Sequence, residues 1–319
     1  MNKKVLTAAT VAVLSCFVST AWAERPDVEK PVCTFQGGAY YESNNTLYLE
    51  SLNNESSSVE INDDDVACVN KYAENGNFNL IVERNTALTA NSTITLPLSY
   101  TPEDKDCISL YQSTNFSEDA EGNWVVVAHN TMGSGTANVP LLMIVNTGDK
   151  KCSEITEIAF SASNFQKPNP EQAYYWLYNQ DDNQSDWILQ GTYSYVSWDK
   201  NNADLGKIYG YTAKAKGKYG AGQFAKAAAG AFIPPLRAYL RYQGTRALTK
   251  SADSAAFELP KEISVKLIDD NKGTTSIARW NMATGEIKKT NGIYDLKGRK
   301  LNSKPQNKGM FIGNTNIQK

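Results

Sequence analysis

The chain has 319 residues, with 32 Lys and Arg against 34 Asp and Glu, a single histidine, five cysteines and a formal net charge of -2. One histidine excludes multi-histidine metal centres and forces any Ser-His-Asp or Cys-His scheme through one position. The scattered basic residues and the lack of a recognition motif exclude nucleic acid as an expected partner.

The N-terminus reads as an export signal. Lys3 and Lys4 precede an apolar run over 5–15, and Ala21-Trp22-Ala23 places small residues at the two positions a signal peptidase reads. Cleavage after Ala23 leaves Glu24 as the mature terminus. The competing readings are a membrane anchor, for which 5–23 is too rich in Ala, Thr and Ser, and a lipoprotein signal, since Val13-Leu14-Ser15-Cys16 loosely resembles a lipobox. No later segment reads as a span, because 221–240 carries Lys226, Arg237 and Pro234-Pro235.

Removal of Cys16 with the signal leaves Cys33, Cys68, Cys107 and Cys152, an even number suited to an oxidising compartment. Three connectivities are open, and sequential pairing, Cys33 with Cys68 and Cys107 with Cys152, is the expectation. Zinc is disfavoured by the absence of a Cys-x-x-Cys pair. Charge divides the mature chain: 24–150 carries net -13 and 151–319 carries net +9. Intramolecular complementarity explains that split more simply than a cationic partner or an acidic envelope.

Strand-like runs follow at 46–52, 78–83, 92–96, 124–128, 141–145, 155–160, 173–178 and 192–198, rich in Val, Ile, Thr, Tyr and Trp and separated by Gly, Pro, Asn and Asp. Residues 222–231, with abundant Ala and with Gln223 and Lys226, are the one moderate helix candidate. Alternation resumes at Tyr209, Tyr211 and Ala213 and again at Arg237, Tyr239 and Arg241. A polar linker at 251–255 precedes weaker strands at 262–268 and 275–280. Arg84, after the apolar 80–82, is expected to tie a neighbouring carboxylate or carbonyl cluster with its planar fork. Pro97, Pro234 and Pro235 are expected to mark strand ends or edges.

Val82-Glu83-Arg84 with 92–98, 207–211 with Gly222-Gln223-Phe224, and 231–240 form three blocks that resemble a β-rich module of secreted proteins from the Bacteroidota and Fibrobacter groups. The resemblance implies a setting beside repeats, adhesin-like domains or hydrolases, with no activity attached. The run Gly292-Ile293-Tyr294-Asp295-Leu296-Lys297-Gly298-Arg299, continued by Lys304-Pro305 and Gly309-Met310-Phe311-Ile312, resembles the C-terminal sorting domain of type IX secretion cargo. That resemblance implies delivery to the outer cell surface, with secretion and surface-attachment machinery as partners. The final residues, 313–319, depart from the family's closing turn and strand; a tail that did not function would leave the protein in the periplasm.

His129 closes the run 124–128 beside Asn130 and reads as a hydrogen-bonded strand-end residue. No nucleophile elbow or His-Glu-x-x-His helix occurs, and no pair of acids stands out for glycoside hydrolysis, so no catalytic residue is nominated. Asn62-Asp63-Asp64-Asp65 and Asp181-Asp182-Asn183 with Asp186 are oxygen-rich but lack the alternating calcium pattern. They read as solvated turns, with structural calcium the one cofactor the composition allows. Tyr174, Tyr175, Trp176, Tyr178, Trp187, Tyr193, Tyr195 and Trp198 make the densest aromatic region. Strand alternation puts Tyr174, Trp176 and Tyr178 on one face and Tyr175 on the other. One set fills a core, and the other, with Trp187, is the candidate ligand-stacking surface for a sugar face.

The expected fold is all-β and mainly antiparallel, with a β-sandwich-like body over 24–250, divisible near 150–170, and a linker with a smaller C-terminal β sorting tail over 251–319 behind the signal peptide 1–23. The expected function is a non-catalytic secreted or surface-displayed protein of adhesion or scaffold type, contacting glycan or a host surface. The alternative is a polysaccharide-acting enzyme or its accessory module.

Overall fold

A computed structural model describes residues 30–84, 91–118, 123–146, 152, 158–179, 186–213, 220–244 and 259–269, together with short strands between 278 and 318. The fold is all-β with one short helix. In chain order the elements are β1 (Cys33–Phe35), β2 (Gly38–Tyr41), β3 (Thr46–Ser51), α1 (Asp63–Tyr72), β4 (Asn77–Arg84), β5 (Ser92–Ile94), β6 (Ser99–Pro102), β7 (Ile108–Glu118), β8 (Trp124–Asn130) and β9 (Leu141–Val145). They continue with β10 (Ile158–Ser163), β11 (Tyr174–Asn179), β12 (Trp187–Thr192), β13 (Val196–Trp198), β14 (Ile208–Tyr211), β15 (Phe224–Lys226), β16 (Ala231–Ile233), β17 (Arg237–Tyr242) and β18 (Glu262–Ile268).

Two sheets carry the body. The first has six strands in the order β1-β2-β3-β4-β10-β6, antiparallel except for the parallel pair β3–β4. Its core face alternates as a half-buried strand must: Leu47 and Leu49 on β3, Phe78, Leu80 and Val82 on β4, and Ile158, Phe160 and Ala162 on β10 are all buried. These pack with Ile94, Leu96, Ile108, Leu110, Leu141, Met143 and Val145 into one core. This half is the sandwich-like part of the molecule.

The second sheet curls round and closes on itself, where a simple sandwich would leave two open sheets. Eight of its ten strands, in the order β11-β12-β17-β14-β15-β18-β8-β7, form a ring completed by parallel pairing of β11 with β7, Tyr178 opposite Asn115 and Asn179 opposite Phe116, and β9 and β5 continue the sheet from β7. A second parallel pair, β18–β8, lies in the same ring. The sheets are therefore mixed, and antiparallel order is the majority pattern only. Eight strands suffice for an interior that side chains fill, and here Leu177, Trp187, Leu189, Tyr209, Phe224, Ala238, Leu240, Tyr242, Val126 and Ala128 fill it.

β9 is the wall between the cores. Leu141, Met143 and Val145 face the first, Leu142 and Ile144 face the second, and all five are buried. A continuous apolar strand is the signature of burial on both faces. Outside the barrel, β13 pairs with β16 and covers Ile208 and Tyr239 with Trp198, Val196 and Ile233.

The helix lies at 63–72, not at 222–231. Asn62 is its N-cap: its side chain accepts from the Asp64 and Asp65 amides at 2.8 and 3.0 Å, while Asp65 accepts from the Asn62 amide at 2.9 Å. Three acids in the first turn favour the positive end of the helix dipole. Residues 224–226 and 231–233 are strands instead, because pairing with β14, β18 and β13 outweighs the modest helix propensity of alanine. The run 192–198 is likewise not one strand: β12 ends at Thr192, whose hydroxyl donates to the Ser194 carbonyl at 2.7 Å, and β13 begins at Val196.

Disulfides join Cys33 to Cys68 and Cys107 to Cys152. The first ties α1 to β1, and Cys33, Cys107 and Cys152 belong to the first core. Towards the C-terminus, Ala278–Asn281 pairs with Glu286–Lys289, and Lys300–Leu301, Ile293–Tyr294, Phe311–Gly313 and Asn316–Gln318 form a small four-stranded antiparallel sheet.

Trp187 anchors the barrel interior. It is 3% exposed and stacks on Phe116 at 5.0 Å, with Tyr242, Tyr209 and Trp124 edge-on at 5.1, 5.3 and 5.6 Å. Trp187→Ala should cost about 3–5 kcal/mol, read as a lower denaturation midpoint at unchanged m-value.

Candidate functional site

The barrel places the clustered aromatic residues by strand parity. On β11, Leu177 and Tyr175 pack against the interior, and Tyr174, Trp176 and Tyr178 point out. Tyr174 and Tyr178 are 38% and 42% exposed, and Tyr174 sits edge-on to Trp176 at 6.0 Å. Trp187 does not join this outer row: its strand neighbour across the ladder is Leu177, so it shares the inward parity and its indole is enclosed. Beside the row, Gln190 lies opposite Tyr174, and its amide nitrogen donates to the Ala173 and Gly191 carbonyls at 3.1 Å. Three outward rings two residues apart make a narrow ledge, braced by a packed wall, for stacking against a flat apolar face.

Of the other aromatic residues, Tyr193 is buried and Trp198 is part of the outer barrel cluster. Tyr195 stacks on the exposed ring of Phe232 at 5.3 Å.

A polar trough of about 340 Å³ lies on the outer face of the six-stranded sheet. The cross-strand series Asn79, Ser161, Thr101 runs along it, with Asn45, Asn77, Ser163 and Glu74 at its sides. Asn45 is drawn in by hydrogen bonds, accepting from the Tyr40 hydroxyl at 2.6 Å and donating to the Asn77 carbonyl at 3.1 Å. Amides and hydroxyls line this trough in the manner of a surface that hydrogen-bonds neutral polar ligands.

His129 is half-buried in β8, opposite Gln112 and Ile268 in the ladders. Asn62 Oδ1 and Asp65 Oδ2 are committed to the helix cap, and Asp186 accepts from the Tyr242 hydroxyl at 3.4 Å; positions 181–183 lie outside the described residues. Among the described residues no three His, Cys, Asp or Glu side chains converge as a metal cluster would.

The interior holds a polar nest that sequence reasoning missed. Arg84 continues the inward series Leu80, Val82 on β4, so its guanidinium enters the core instead of solvent. Its Nη1 donates to the Ser92 hydroxyl at 2.8 Å, while Nε and Nη2 are buried without partners. Among the described residues no carboxylate or carbonyl completes the expected cluster. Arg237, at the start of β17, approaches closely enough to disfavour the Arg84 charge; its Nε is also buried and unpartnered. Burial first, then Arg237, lowers the Arg84 pKa, against a smaller opposing effect of Tyr100, and burial pushes Arg237 down to about 10.

The tyrosines around this nest are equally dry. The Tyr100 ring covers Gly135, where a side chain would collide with it, and its hydroxyl is buried without a partner. Tyr193 donates to Asn138 at 2.6 Å, and Asn138 in turn accepts the Asn169 amide at 3.1 Å. The only signal in the chain for this nest was a charged residue at an inward parity position.

No family model, curated protein or solved structure matches this chain.

Burial raises the pKa of Tyr100, Tyr193, Tyr209 and Tyr211 above the ordinary phenol value. A phenol whose folded pKa is raised stabilises the native state below its unfolded value of about 10, and that contribution is lost as pH climbs towards the folded values. Spectrophotometric titration should therefore show a block of tyrosines ionising only together with loss of near-ultraviolet circular dichroism. Ionisation of every tyrosine at the free-phenol pH, with the fold intact, would contradict this burial.

Proposed function

We propose that the chain is a non-catalytic protein of the cell exterior, of adhesion or scaffold type, that contacts carbohydrate through Tyr174, Trp176 and Tyr178. The observation that carries this reading is the outward ring row on a closed, filled barrel. A rigid backing means that the rings are already arranged when ligand arrives, so little ordering entropy is lost on binding. Stacking against rings suits the apolar face of a pyranose, and polar groups beside the row suit its hydroxyls.

The setting rests on several features together. The signal-like residues 1–23 and the tail resembling type IX cargo over 292–312 support export and surface attachment by the corresponding machinery, and two disulfides suit an oxidising environment. The same ring row also serves an accessory module that holds a polysaccharide-acting enzyme on its substrate. Release of reducing sugar by the purified chain would favour an enzyme over either binding role.

Sedimentation with insoluble polysaccharide and glycan-array binding test the ledge. Single changes Tyr174→Ala, Trp176→Ala and Tyr178→Ala should each weaken binding by roughly 3- to 10-fold, the equivalent of about 0.5–1.5 kcal/mol per ring, with melting temperature little changed. Equal binding by the triple variant, or no glycan binding by the wild-type protein, would sink the reading.

Maturation tests the setting. Mass spectrometry should find Glu24 at the N-terminus of the exported protein, and deletion of 292–319 should hold it in the periplasm. A surface-exposed protein lacking that tail would contradict the sorting role.

A further inference from the structure

We propose that Arg84 and Arg237 form an internal binding site for one small oxyanion, of the carboxylate, sulfate or phosphate type.

The edge of Arg84 left free is the one formed by Nε and Nη2, two parallel N–H groups on one side of the guanidinium. That edge is the fork that takes a carboxylate or phosphate in bidentate fashion. The remaining nitrogen, Nη1, is fixed on Ser92, so the fork cannot swing away to find a carbonyl. Arg237 Nε and the Tyr100 hydroxyl add two more buried donors without acceptors in the same nest.

Four elements hold these groups in place. Arg84 ends β4 beside Ser51 of β3, and the Ser51 hydroxyl donates to the Pro235 carbonyl at 2.6 Å. That bond brings the Pro235-Leu236-Arg237 turn against the six-stranded sheet. Leu236 adopts a left-handed backbone with φ 60°, and its carbonyl accepts the Thr95 amide at 3.1 Å. Tyr100 on β6 is pinned over Gly135 by reciprocal backbone hydrogen bonds of 3.0 and 2.7 Å.

Two like charges in a dry site, with donors unmet, are costly unless something negative joins them. An acidic side chain would be the usual partner, yet 85–90, the segment that follows Arg84, contains no acid, and among the described residues no carboxylate contributes to the shift of either guanidinium. Arg84 and Arg237 are each half-buried as whole residues although the donor edges are sealed, so the site is internal while the side chains that form it come near the surface. The proposal is independent of the aromatic ledge, which lies on another strand.

The test is thermal unfolding of the full mature chain in sodium sulfate, sodium phosphate and sodium acetate, each against sodium chloride at equal ionic strength. At least one oxyanion should raise the melting temperature along a saturating curve, and native mass spectrometry should show one retained ion. Arg84→Lys, which keeps the charge but loses the fork, should weaken that oxyanion at least tenfold. Arg84→Met and Arg237→Met should abolish the saturable rise and, without oxyanion, melt no lower than wild type. A purely structural arginine predicts the reverse: both Met variants destabilised equally in every salt. Oxyanion effects that never saturate, or that are the same in wild type and in whichever of the Lys or Met variants folds, would overturn the site.

Discussion

Pairing of β11 with β7 is the constraint on which the barrel depends. Only Tyr178 and Asn179 meet Asn115 and Phe116, yet that contact turns a curled sheet into a ring. Closure removes the free edge that β11 would otherwise offer to fraying or to another chain, while β9 and β5 continue the sheet beyond the ring. It also gives every strand an inside and an outside, so a shift of one residue would exchange the two. Trp187 stacked on Phe116 marks the inside, and Trp176 with its neighbouring tyrosines marks the outside. The ledge and the aromatic core are thus two results of one parity.

The same parity produces the less comfortable feature of the molecule. Arg84 follows Leu80 and Val82 in strict alternation and must enter the interior unless the strand bulges, which it does not. Arg237 arrives from the barrel side at the seam between the two sheets. That seam is held by short polar links: Ser51 to Pro235, and Thr93, whose hydroxyl both donates to the Ala238 carbonyl and accepts its amide at 2.8 Å. Two cations at such a junction weaken it unless they are neutralised, which makes the seam sensitive to what occupies it. β9, buried on both faces, passes a distortion of either core to the other, since packed interiors deform in steps instead of smoothly.

Much of the fold was legible where alternation and β-branched residues coincide, as in 46–52, 78–83, 141–145 and 262–268. The even cysteine count pointed to two disulfides, and the sequential pairing expected among three open connectivities is the one found. β7 was not legible, although it is the longest of the described strands, because its outer positions carry Ser, Gln and Asn and a register shift between Ser113 and Asn115 breaks its period. α1 was hidden by its own cap: Asn62-Asp63-Asp64-Asp65 looks like a solvated acidic loop until Asn62 and Asp65 exchange hydrogen bonds. Parallel pairs and ring closure leave no mark in a single strand's composition, so a barrel could not be told from a sandwich. At the site, alternation correctly separated Tyr175 from Tyr174, Trp176 and Tyr178. Trp187 lies on a different strand, where only the register with β11 decides its face. The arginine nest depends on residues 153 positions apart in the chain and left only the parity of Arg84 as a clue.

Native-state amide hydrogen exchange on β11 tests ring closure most directly. If β11 closes the ring, the amides of Tyr178 and Asn179, where it meets β7, should exchange at the free energy of global unfolding, together with those of β12 and β17. Rapid exchange at Tyr178 and Asn179 while β12 and β17 stay protected would mean that β11 is a detachable edge, and neither the filled barrel nor the rigid ledge built on it would stand.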